Sequence, residues 1–284
     1  MKVFIYDRLG NKSPIIYDYF TFSGGEEHIR FKADDLSCAT KIEIFERITD
    51  SSKVVRLMIA VDALKRLTNK TCSFELLIPY FPYARQDRVC VKGEALGAVV
   101  MANLINSLGF TKVTIWDAHS DVSTALIKNV LNIPQIDLLA RCDDLSQRLS
   151  AGELVLISPD AGASKKTMQI AAKFNGEPEV IQAQKLRNLK TGEIIKTEIL
   201  GDVTGKKVLI ADDICDGGRT FIELAKELKR MGVKEVSLFI THGIFSNGLD
   251  IFEGLIDNIY TTDSFKAKSE FKHNSNINLQ VIEM

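Results

Sequence analysis

Apolar and polar residues follow one another along the chain in a pattern that predicts short strands separated by amphipathic helices. Short β-rich or buried apolar runs occur at 3–6, 15–20, 42–45, 74–78, 112–116, 154–157, 208–211, 236–240 and 258–260. Apolar residues at helical spacing occur over 54–67, 93–108, 141–149 and from 221 onwards. We expect Ser51 and Ser52 to cap the first helix, and Gly109 and Gly232 to end the second and the last. This alternation predicts an α/β fold with mainly parallel sheets.

The two halves of the chain show a short internal match. Residues 108–115, Leu-Gly-Phe-Thr-Lys-Val-Thr-Ile, align with residues 231–238, Met-Gly-Val-Lys-Glu-Val-Ser-Leu, and the same offset places His119 opposite His242. We therefore expect two similar α/β domains, residues 1–140 and 141–284, with equivalent loops at their strand ends. This hypothesis of a duplication requires the matched segments to lie in register in the two domains.

One stretch in the second half joins an apolar run to a helix through acids and glycines. It reads Asp212-Asp213-Ile-Cys-Asp216-Gly217-Gly218-Arg219-Thr220. Glycines allow a tight turn and a close approach to a ligand, and the N–H groups at the start of a helix suit a phosphate. Acids at the carboxyl end of a parallel strand can accept hydrogen bonds from sugar hydroxyls. The stretch indicates a sugar phosphate, although an ordinary strand–turn–helix with a solvated acidic turn fits the spacing alone equally well.

Composition and charge narrow the class of protein. The chain has 284 residues, is 45% hydrophobic and 26% charged, and carries a formal net charge of −1. This profile is typical of a soluble globular protein and argues against a polybasic surface for nucleic acid. No apolar run in the sequence is long enough to span a bilayer, and Asp7 comes too early for a signal peptide. Five scattered cysteines without a Cys-x-x-Cys motif favour reduced thiols. We expect a cytoplasmic protein with no nucleic-acid or membrane partner.

Six segments in a fixed order resemble one known family, ribose-phosphate pyrophosphokinase, also called phosphoribosyl pyrophosphate synthetase. They are Pro-Tyr-Phe-Pro-Tyr-Ala-Arg-Gln-Asp-Arg at 79–88, Asp117-Ala-His119, Ser158-Pro-Asp160-Ala-Gly162, Lys185-Leu-Arg187, the stretch 212–220, and Thr241-His-Gly243. The resemblance covers nearly the whole chain, whereas the stretch 212–220 alone would indicate only the wider phosphoribosyltransferase group. It implies two phosphoribosyltransferase-like (type I) domains, with ATP bound by residues 1–140 and ribose 5-phosphate by residues 141–284.

The resemblance also implies a reaction and its cofactor. ATP would give its β,γ-pyrophosphoryl group to the 1-hydroxyl of ribose 5-phosphate, yielding phosphoribosyl pyrophosphate and AMP, with Mg²⁺ as the metal. Such a transfer requires in-line positioning and cations around the phosphate oxygens more than covalent help from the protein. A homo-oligomer, a dimer or a hexamer, is implied as well, because the family's adenine-recognising loop reaches the ATP site of a neighbouring subunit.

Roles for single residues follow from the same resemblance. The adenine-recognising loop corresponds to Thr21–Glu26, with Phe22, Gly24 and Glu26, and the other ATP-binding residues correspond to Arg85, Gln86 and Asp87. The magnesium-associated residues correspond to His119 and Asp160, and the catalytic group comprises Lys185, Arg187 and His119, the first two on a mobile loop. The ribose 5-phosphate site corresponds to Asp212, Asp213, Asp216, Gly217, Gly218, Arg219 and Thr220.

Several of these residues have simpler interpretations when taken in isolation. His119 would be a hydrogen-bonded histidine at a strand end, and Lys185 and Arg187 would be solvated charges, as most surface Lys and Arg are. Two rival functions also remain. One is a phosphoribosyltransferase that consumes phosphoribosyl pyrophosphate, and the other is a catalytically silent regulatory member of the family.

The sequence departs from the family pattern at four places. Gly24 stands where an acid is expected, Val89 and Val91 stand where basic residues are usual, and Gly217 replaces a threonine. The chain also ends at Met284, where the usual members continue into a helix and a Ser-rich tail, so a short form of the family is expected. We expect these differences to relax adenine discrimination and to leave weak activation by inorganic phosphate and weak allosteric inhibition by ADP.

Overall fold

The computed structural model describes residues 1–33, 35–160, 162–174, 178–187 and 194–283, with residues 185–187 and 194–197 described by their backbone alone. The chain divides into two compact units, Met1–Ile133 and Pro134–Met284. Each unit contains its own central sheet. In the described residues, no helix is both long and apolar enough to cross a membrane.

The first unit is built on a six-stranded mixed sheet with the order β2-β1-β5-β6-β7-β8. In chain order its elements are β1 (Lys2–Tyr6), β2 (Lys12–Pro14), β3 (Tyr17–Thr21), β4 (Glu27–Phe31), β5 (Lys41–Phe45), α1 (Ser51–Leu67), β6 (Ser73–Leu77), α2 (Gly97–Ser107), β7 (Lys112–Trp116), α3 (Asp121–Leu126) and β8 (Val130–Ile133). Strands β5 to β8 are parallel, and β1 is antiparallel to both of its neighbours. Strands β3 and β4 form a separate antiparallel hairpin.

The second unit is built on a seven-stranded sheet with the order β11-β10-β9-β12-β13-β14-β15. Its elements are α4 (Gln135–Leu139), α5 (Asp143–Ser150), β9 (Leu154–Ser158), α6 (Ser164–Lys173), β10 (Val180–Arg187), β11 (Ile194–Ile199), β12 (Lys207–Cys215), α7 (Arg219–Arg230), β13 (Glu235–Gly243), 3₁₀ turns at Asp250–Phe252 and Lys268–Glu270, β14 (Asn258–Thr262) and β15 (Asn278–Ile282). All neighbours are parallel except β10 and β11. Parallel sheets with crossover helices agree with the predicted α/β class.

Along the chain, the boundary of the two units falls between Ile133 and Pro134 rather than between residues 140 and 141. The difference is due to the short helix α4, which belongs with the second unit. Gln135 is buried there and donates a hydrogen bond from Nε2 to Thr241 Oγ1 on β13, at 3.3 Å. Helix α4 has only five residues, so its apolar periodicity does not predict which of the two cores the helix packs against.

Apolar side chains at alternate strand positions form one core in each unit. In the first unit Ile42 and Ile44 of β5 pack with α1, whose buried face comprises Val54, Leu57, Ala60, Val61 and Leu64. In the second unit β12 and β13 pack against α7, whose buried face comprises Phe221, Leu224, Ala225 and Leu228. Full burial of one such large apolar side chain stabilises the fold by about 1.5–3 kcal/mol, so these two faces hold α1 and α7 against their sheets.

Two predicted helix starts were wrong. Asp50, not Ser51 or Ser52, caps α1, because its extended backbone lets its carboxylate accept a hydrogen bond from the Lys53 N–H at 3.2 Å. Helix α2 begins at Gly97 rather than at Gly93, whose φ of +98° is incompatible with a helix.

The matched segments of the two halves occupy matching elements. Helices α2 and α7 end at positions that the sequence match pairs, and β7 and β13 begin at the paired residues Lys112 and Glu235. Gly109 and Gly232, also paired, both adopt the left-handed backbone, with φ of +71° and +82°. A left-handed glycine after the last turn is a common helix terminator. The register that a duplication requires is therefore present in these elements.

Candidate functional site

Strand β12 places Asp212 and Asp213 near the carboxyl edge of the sheet in the second unit. The apolar run predicted a strand over 208–211, but β12 continues to Cys215, which pairs with Gly243 on β13. Asp212 is half-buried and Asp213 is only 7% exposed. The strand extends because β13 also runs on to Gly243, so the ladder continues past Ala211, where the predicted apolar run ends.

Asp160, Asp212 and Asp213 form a carboxylate cluster. Burial raises the pKa of Asp212 to about 8, with further contributions from the negative charges of Asp213 and Asp160. A hydrogen bond from the Asp213 N–H to Asp212 Oδ1, at 2.9 Å, opposes that shift. The structure thus brings the predicted magnesium-associated aspartate together with the two predicted sugar-binding aspartates.

Lys166 supplies positive charge to this cluster. Its Nζ lies 3.6 Å from Asp213 Oδ2, and both side chains are largely withdrawn from solvent. Nothing in the sequence distinguishes Lys166 from the adjacent Lys165, which has the same chemistry but is exposed in the structure. Only the rotation of helix α6, which begins just after Asp160, distinguishes the two lysines.

The loop after β12 has the form expected of a phosphate cradle. Gly218 has a φ of +80° and immediately precedes α7, and a Cβ there would lie 2.6 Å from Phe252 Cζ. Only glycine satisfies both constraints. Helix α7 begins at Arg219, so Arg219 and Thr220 belong to its first turn, where N–H groups have no partner within the helix. A phosphate is a suitable ligand for such a helix terminus.

Gly217, predicted to lack a hydroxyl donor, lies against a side chain from elsewhere. A Cβ at Gly217 would lie 3.2 Å from Asn247 Nδ2. That amide donates a hydrogen bond to the Gly217 carbonyl at 3.1 Å. Nothing in the sequence alone identifies Asn247, because it lies in a turn thirty residues further on.

Cys215, at the end of β12, is not suited to be a nucleophile. Burial, together with the nearby charges of Asp212 and Asp216, raises the pKa of its thiol to about 12. The reactive form of cysteine is the thiolate, so Cys215 remains protonated and packs in the core.

The two histidines paired by the internal match have different surroundings. His242 is buried on β13, and its Nδ1 lies 2.8 Å from Ser264 Oγ, so it has a structural partner in the core of the second unit. His119 is half-buried and follows β7, two residues after Asp117. Asp117 has a φ of +39°, and its N–H donates to the Ile133 carbonyl at 2.7 Å. A non-glycine residue in this region costs about 1–3 kcal/mol, and such strain concentrates at functional sites.

The loop that contains Arg85, Gln86 and Asp87 follows strand β6 of the first unit. Arg85 and Gln86 are exposed, and Asp87 is half-buried. The Gln86 N–H donates to the carbonyl of Tyr83, whose φ is +59°, and the Gln86 carbonyl accepts from Ala98 at the start of α2. A Cβ at Gly97 would lie 2.2 Å from Gln86 Oε1, so the glycine leaves room for this side chain. The loop therefore fixes Gln86 and presents the Arg85 guanidinium, which is suited to grip phosphate or stack on a base.

The predicted adenine-recognising loop is the tip of the β3–β4 hairpin. Phe22 is 50% exposed and packs edge-on against Phe20, with ring centroids 4.8 Å apart. The Phe22 N–H donates to the Glu26 carbonyl at 2.8 Å, which closes the tip. Gly24 is exposed and has no heavy atom within 4 Å of its Cβ position. Packing therefore does not require a glycine at position 24, and an acidic side chain would fit there.

Lys185 and Arg187 lie on strand β10 rather than in a loop. Strand β10 pairs parallel with β9 through 180–182 and antiparallel with β11 through 183–187, with an irregularity between Leu186 and Arg187. The polar composition of the segment favoured a loop, but antiparallel pairing of residues 183–187 with β11 makes it a strand. The side chains of Lys185 and Arg187 lie outside the described part of the protein, so their predicted catalytic role stays a prediction.

Two family models match the chain, one in its first half and one in its second. The model for the N-terminal domain of ribose phosphate pyrophosphokinase matches residues 17–109, and the phosphoribosyl transferase domain model matches residues 127–250. A ribose-phosphate pyrophosphokinase of Mycoplasma pneumoniae is 32% identical over 258 residues, which cover 86% of this chain and 74% of the relative. The chain belongs to the ribose-phosphate pyrophosphokinase family. The predicted family and the predicted pair of phosphoribosyltransferase-type domains are thereby confirmed.

Other ribose-phosphate pyrophosphokinases give similar values. The proteins of Thermosipho africanus and Mycoplasmopsis pulmonis are 33% and 31% identical over 221 and 218 residues, and the matches span 67% and 65% of those relatives. Among solved structures, the phosphoribosylpyrophosphate synthetase of Mycobacterium smegmatis aligns with a TM-score of 0.80 and 22% identity, covering 95% of this chain and 87% of its own. The family therefore has this fold, and its name describes an enzyme that transfers a pyrophosphoryl group to a ribose phosphate.

Proposed function

We propose that the protein transfers the β,γ-pyrophosphoryl group of ATP to the 1-hydroxyl of ribose 5-phosphate, forming phosphoribosyl pyrophosphate and AMP. The observation that carries this proposal is the junction of β12 and α7, where Asp212 and Asp213 directly precede a glycine cradle at a helix N-terminus. Membership of the family supports the same reaction. The match of residues 17–109 to a pyrophosphokinase-specific domain favours it over a phosphoribosyltransferase.

The second unit is proposed to bind the acceptor. The Asp212 and Asp213 carboxylates would accept hydrogen bonds from the ribose hydroxyls, and the segment Asp216–Thr220 would hold the 5-phosphate. Backbone N–H groups and the dipole of α7 suit a dianionic phosphate. The exposed Arg219 adds a positive charge at the same helix terminus.

The first unit is proposed to bind ATP through Arg85, Gln86 and Asp87. Phe22, Gly24 and Glu26, on an exposed hairpin tip, are proposed to contact the adenine of a neighbouring copy, so the active form would be a homo-oligomer. An exposed phenylalanine held by a hydrogen-bonded tip is suited to stack on a base. A cytoplasmic location is proposed as the site of this chemistry.

The carboxylate cluster fits Mg²⁺ by the chemistry of its donors. Magnesium prefers oxygen ligands, usually one or two carboxylates together with substrate phosphates. Asp160 and Asp213 already raise the pKa of Asp212, so a cation there would relieve their mutual repulsion. Within the described ranges, no group of three His, Cys, Asp or Glu side chains is arranged to hold a metal ion, so the proposal assigns further ligands to the substrate phosphates. When bound, the metal would neutralise charge on the phosphate oxygens. His119, in the first unit, is proposed as a further magnesium-associated residue.

Lys185 and Arg187 are proposed to stabilise the charge that develops on the transferred group. Cations aimed at that charge act more strongly in the transition state than in the ground state. Their place on β10, two strands from β12 in the sheet order, puts them in the same unit as the proposed acceptor site.

The proposal is tested by incubating the protein with Mg²⁺, ATP and ribose 5-phosphate without a nucleobase. AMP should form in amounts equal to the ribose 5-phosphate consumed. Lys185→Ala should lower turnover strongly while ribose 5-phosphate still binds, and Lys234→Ala, at an exposed lysine before β13, should leave turnover unchanged. Binding of both substrates without turnover would instead identify a catalytically silent member, and ribosylation of an added nucleobase would identify a phosphoribosyltransferase.

A further inference from the structure

Residues 244–247, which follow β13, support the loop proposed to bind phosphate by hydrogen bonds to its backbone. Three backbone N–H groups and one side chain of residues 244–247 donate hydrogen bonds to consecutive carbonyls at the end of β12. The bonds are Ile244 N–H to Cys215 O at 2.9 Å, Phe245 N–H to Cys215 O at 3.0 Å, Ser246 N–H to Asp216 O at 3.1 Å, and Asn247 Nδ2 to Gly217 O at 3.1 Å. The segment therefore fixes three peptide groups in a row.

Fixing these carbonyls also fixes the direction of the N–H groups in the same peptides. In a trans peptide the C=O and N–H bonds point in opposite directions, and none of the described peptides is cis. A carbonyl bound to segment 244–247 therefore turns its N–H away from that segment. The Gly217 carbonyl belongs to the peptide that carries the Gly218 N–H, so the bond from Asn247 orients that donor.

The supporting segment is itself firmly anchored. Phe245 is buried with a φ of +43°, and its ring packs edge-on against Phe252 and Phe271 at 6.1 and 6.2 Å. Its carbonyl accepts a hydrogen bond from the Gly248 N–H at 3.0 Å. Three of the four bonds to the cradle depend only on this backbone. The fourth bond depends on the side chain of Asn247, so it can be removed by substitution without changing the other three.

Gly217 and Asn247 occupy the same space. A Cβ at Gly217 would lie 3.2 Å from Asn247 Nδ2 and 4.0 Å from Ser246 Oγ. A larger residue at 217 would therefore push the amide away from the Gly217 carbonyl. The amide of Asn247 occupies the space that a side chain at 217 would need, and from there it donates to the Gly217 carbonyl.

We propose that Asn247 is a positioning residue for the phosphate of the acceptor. It holds the 217–218 peptide so that the Gly218 N–H is directed to the phosphate, and it can do so because residue 217 is glycine. The inference rests on the proposed function, since it takes the ligand of the cradle to be the phosphate of ribose 5-phosphate. The role predicts a change in acceptor affinity without a change in the chemical step.

The test is calorimetric titration of the full-length protein with ribose 5-phosphate, without ATP. Asn247→Ala should raise the Kd about 3- to 10-fold, the value of one hydrogen bond. Asn247→Asp, which keeps the size but replaces the donor by a negative charge, should raise it further. Asn278→Ala removes a comparable exposed amide bond, to Asn258 Oδ1 at 3.1 Å on the edge strand β15, and should leave the Kd unchanged. In steady-state assays Asn247→Ala should raise KM for ribose 5-phosphate and leave kcat and KM for ATP unchanged.

A second pair of variants tests the coupling between the two residues. Gly217→Ser should weaken binding in the wild-type background, and the same substitution should be harmless or favourable in the Asn247→Ala background. Equal Kd values for Asn247→Ala and wild type, or independent effects at the two positions, would overturn the positioning role while leaving the proposed function in place. A fall in melting temperature with no change in Kd would overturn it as well. Failure of the wild-type protein to bind ribose 5-phosphate would overturn the proposed acceptor and the positioning role together.

Discussion

Lys166 and Asp213 form an ion pair in which the ammonium Nζ lies 3.6 Å from the carboxylate Oδ2. The pair lies beside Asp212 and Asp160, so a single lysine partly offsets the charge of a cluster of aspartates. This balance explains how acidic side chains can be kept close together at the end of β12 before a cation or substrate arrives.

Replacing Lys166 by alanine should destabilise the protein and increase its dependence on magnesium. The pair is more buried than a surface ion pair and less buried than a core one, so we expect a loss of about 1–2 kcal/mol in unfolding free energy. Lys165→Ala, at the exposed neighbour, should change it by less than about 0.5 kcal/mol. Urea unfolding in EDTA and in Mg²⁺ measures both effects, and equal losses for the two variants would refute a specific role for Lys166.

The raised pKa of Asp212 makes the stability of the free protein depend on pH. The folded pKa of about 8 exceeds the ordinary value of 3.8, so the folded state binds the extra proton between these limits. Unfolding free energy should therefore fall as pH rises from about 4 to about 8. Asp212→Asn should remove this component, and the difference between variant and wild type in melting temperature should grow towards pH 8 in EDTA. A constant difference across this range would contradict the shifted pKa.

Arg85 should contribute to ATP affinity much more than Arg88. Both side chains are exposed, and the Gln86 backbone next to Arg85 is held by hydrogen bonds to Tyr83 and Ala98, which fixes where Arg85 leaves the loop. A charge-assisted bond to phosphate is worth about 1.5–3 kcal/mol, so Arg85→Ala should raise KM for ATP about 10- to 100-fold. Initial rates over a range of ATP concentrations test this, and a similar effect of Arg88→Ala would mean that only general positive charge matters.

Gly24→Asp should sharpen the preference for ATP over other nucleoside triphosphates. The position has open space around it and no left-handed backbone, so an aspartate fits without strain. One added hydrogen bond to the base should raise the ratio of ATP to GTP turnover about 3- to 10-fold. Ser23→Asp adds the same charge at the neighbouring exposed residue and should not change the ratio. If both variants alter it equally, recognition at this tip is electrostatic only.

Activation by inorganic phosphate should be weak. Val89 and Val91 are 52% and 63% exposed, so this part of the loop presents apolar side chains instead of cations. Initial rates should stay constant across a titration with inorganic phosphate, and a steep rise in rate would contradict this prediction. The double variant Val89→Arg, Val91→Arg should gain a phosphate response, while Val55→Arg on the exposed face of α1 should not.

Periodicity and strand-end chemistry were sufficient to predict much of the fold, including the turn from strand to helix over residues 212–220. The predicted strand at 112–116 coincides with β7, and Gly109 ends α2 as expected. Such features are local, because a few neighbouring residues determine a helix end or a buried run. The predicted start of α2 was wrong because Gly93 has a left-handed backbone, and the sequence pattern does not show which φ a glycine adopts.

The features that the sequence could not supply depend on distant contacts. Strand β12 continues through Asp212 and Asp213 to Cys215 because β13 pairs with it, and β10 replaces a predicted loop because residues 183–187 pair with β11. Lys166 differs from Lys165 only by helix rotation, and Asn247 meets Gly217 only through the fold. Strand pairing and helix rotation bring these residues together, and their spacing along the chain does not predict the contacts.

The central claim is that attack occurs on the β-phosphorus of ATP. Phosphorus-31 NMR of the protein with Mg²⁺, ATP and ribose 5-phosphate, and without a nucleobase, tests it directly. The account predicts that the ATP signals are replaced by the signal of AMP and by two coupled pyrophosphoryl signals attached to the sugar, in equal amounts. Formation of ADP with a single new phosphate on the sugar, or release of free phosphate alone, would contradict it.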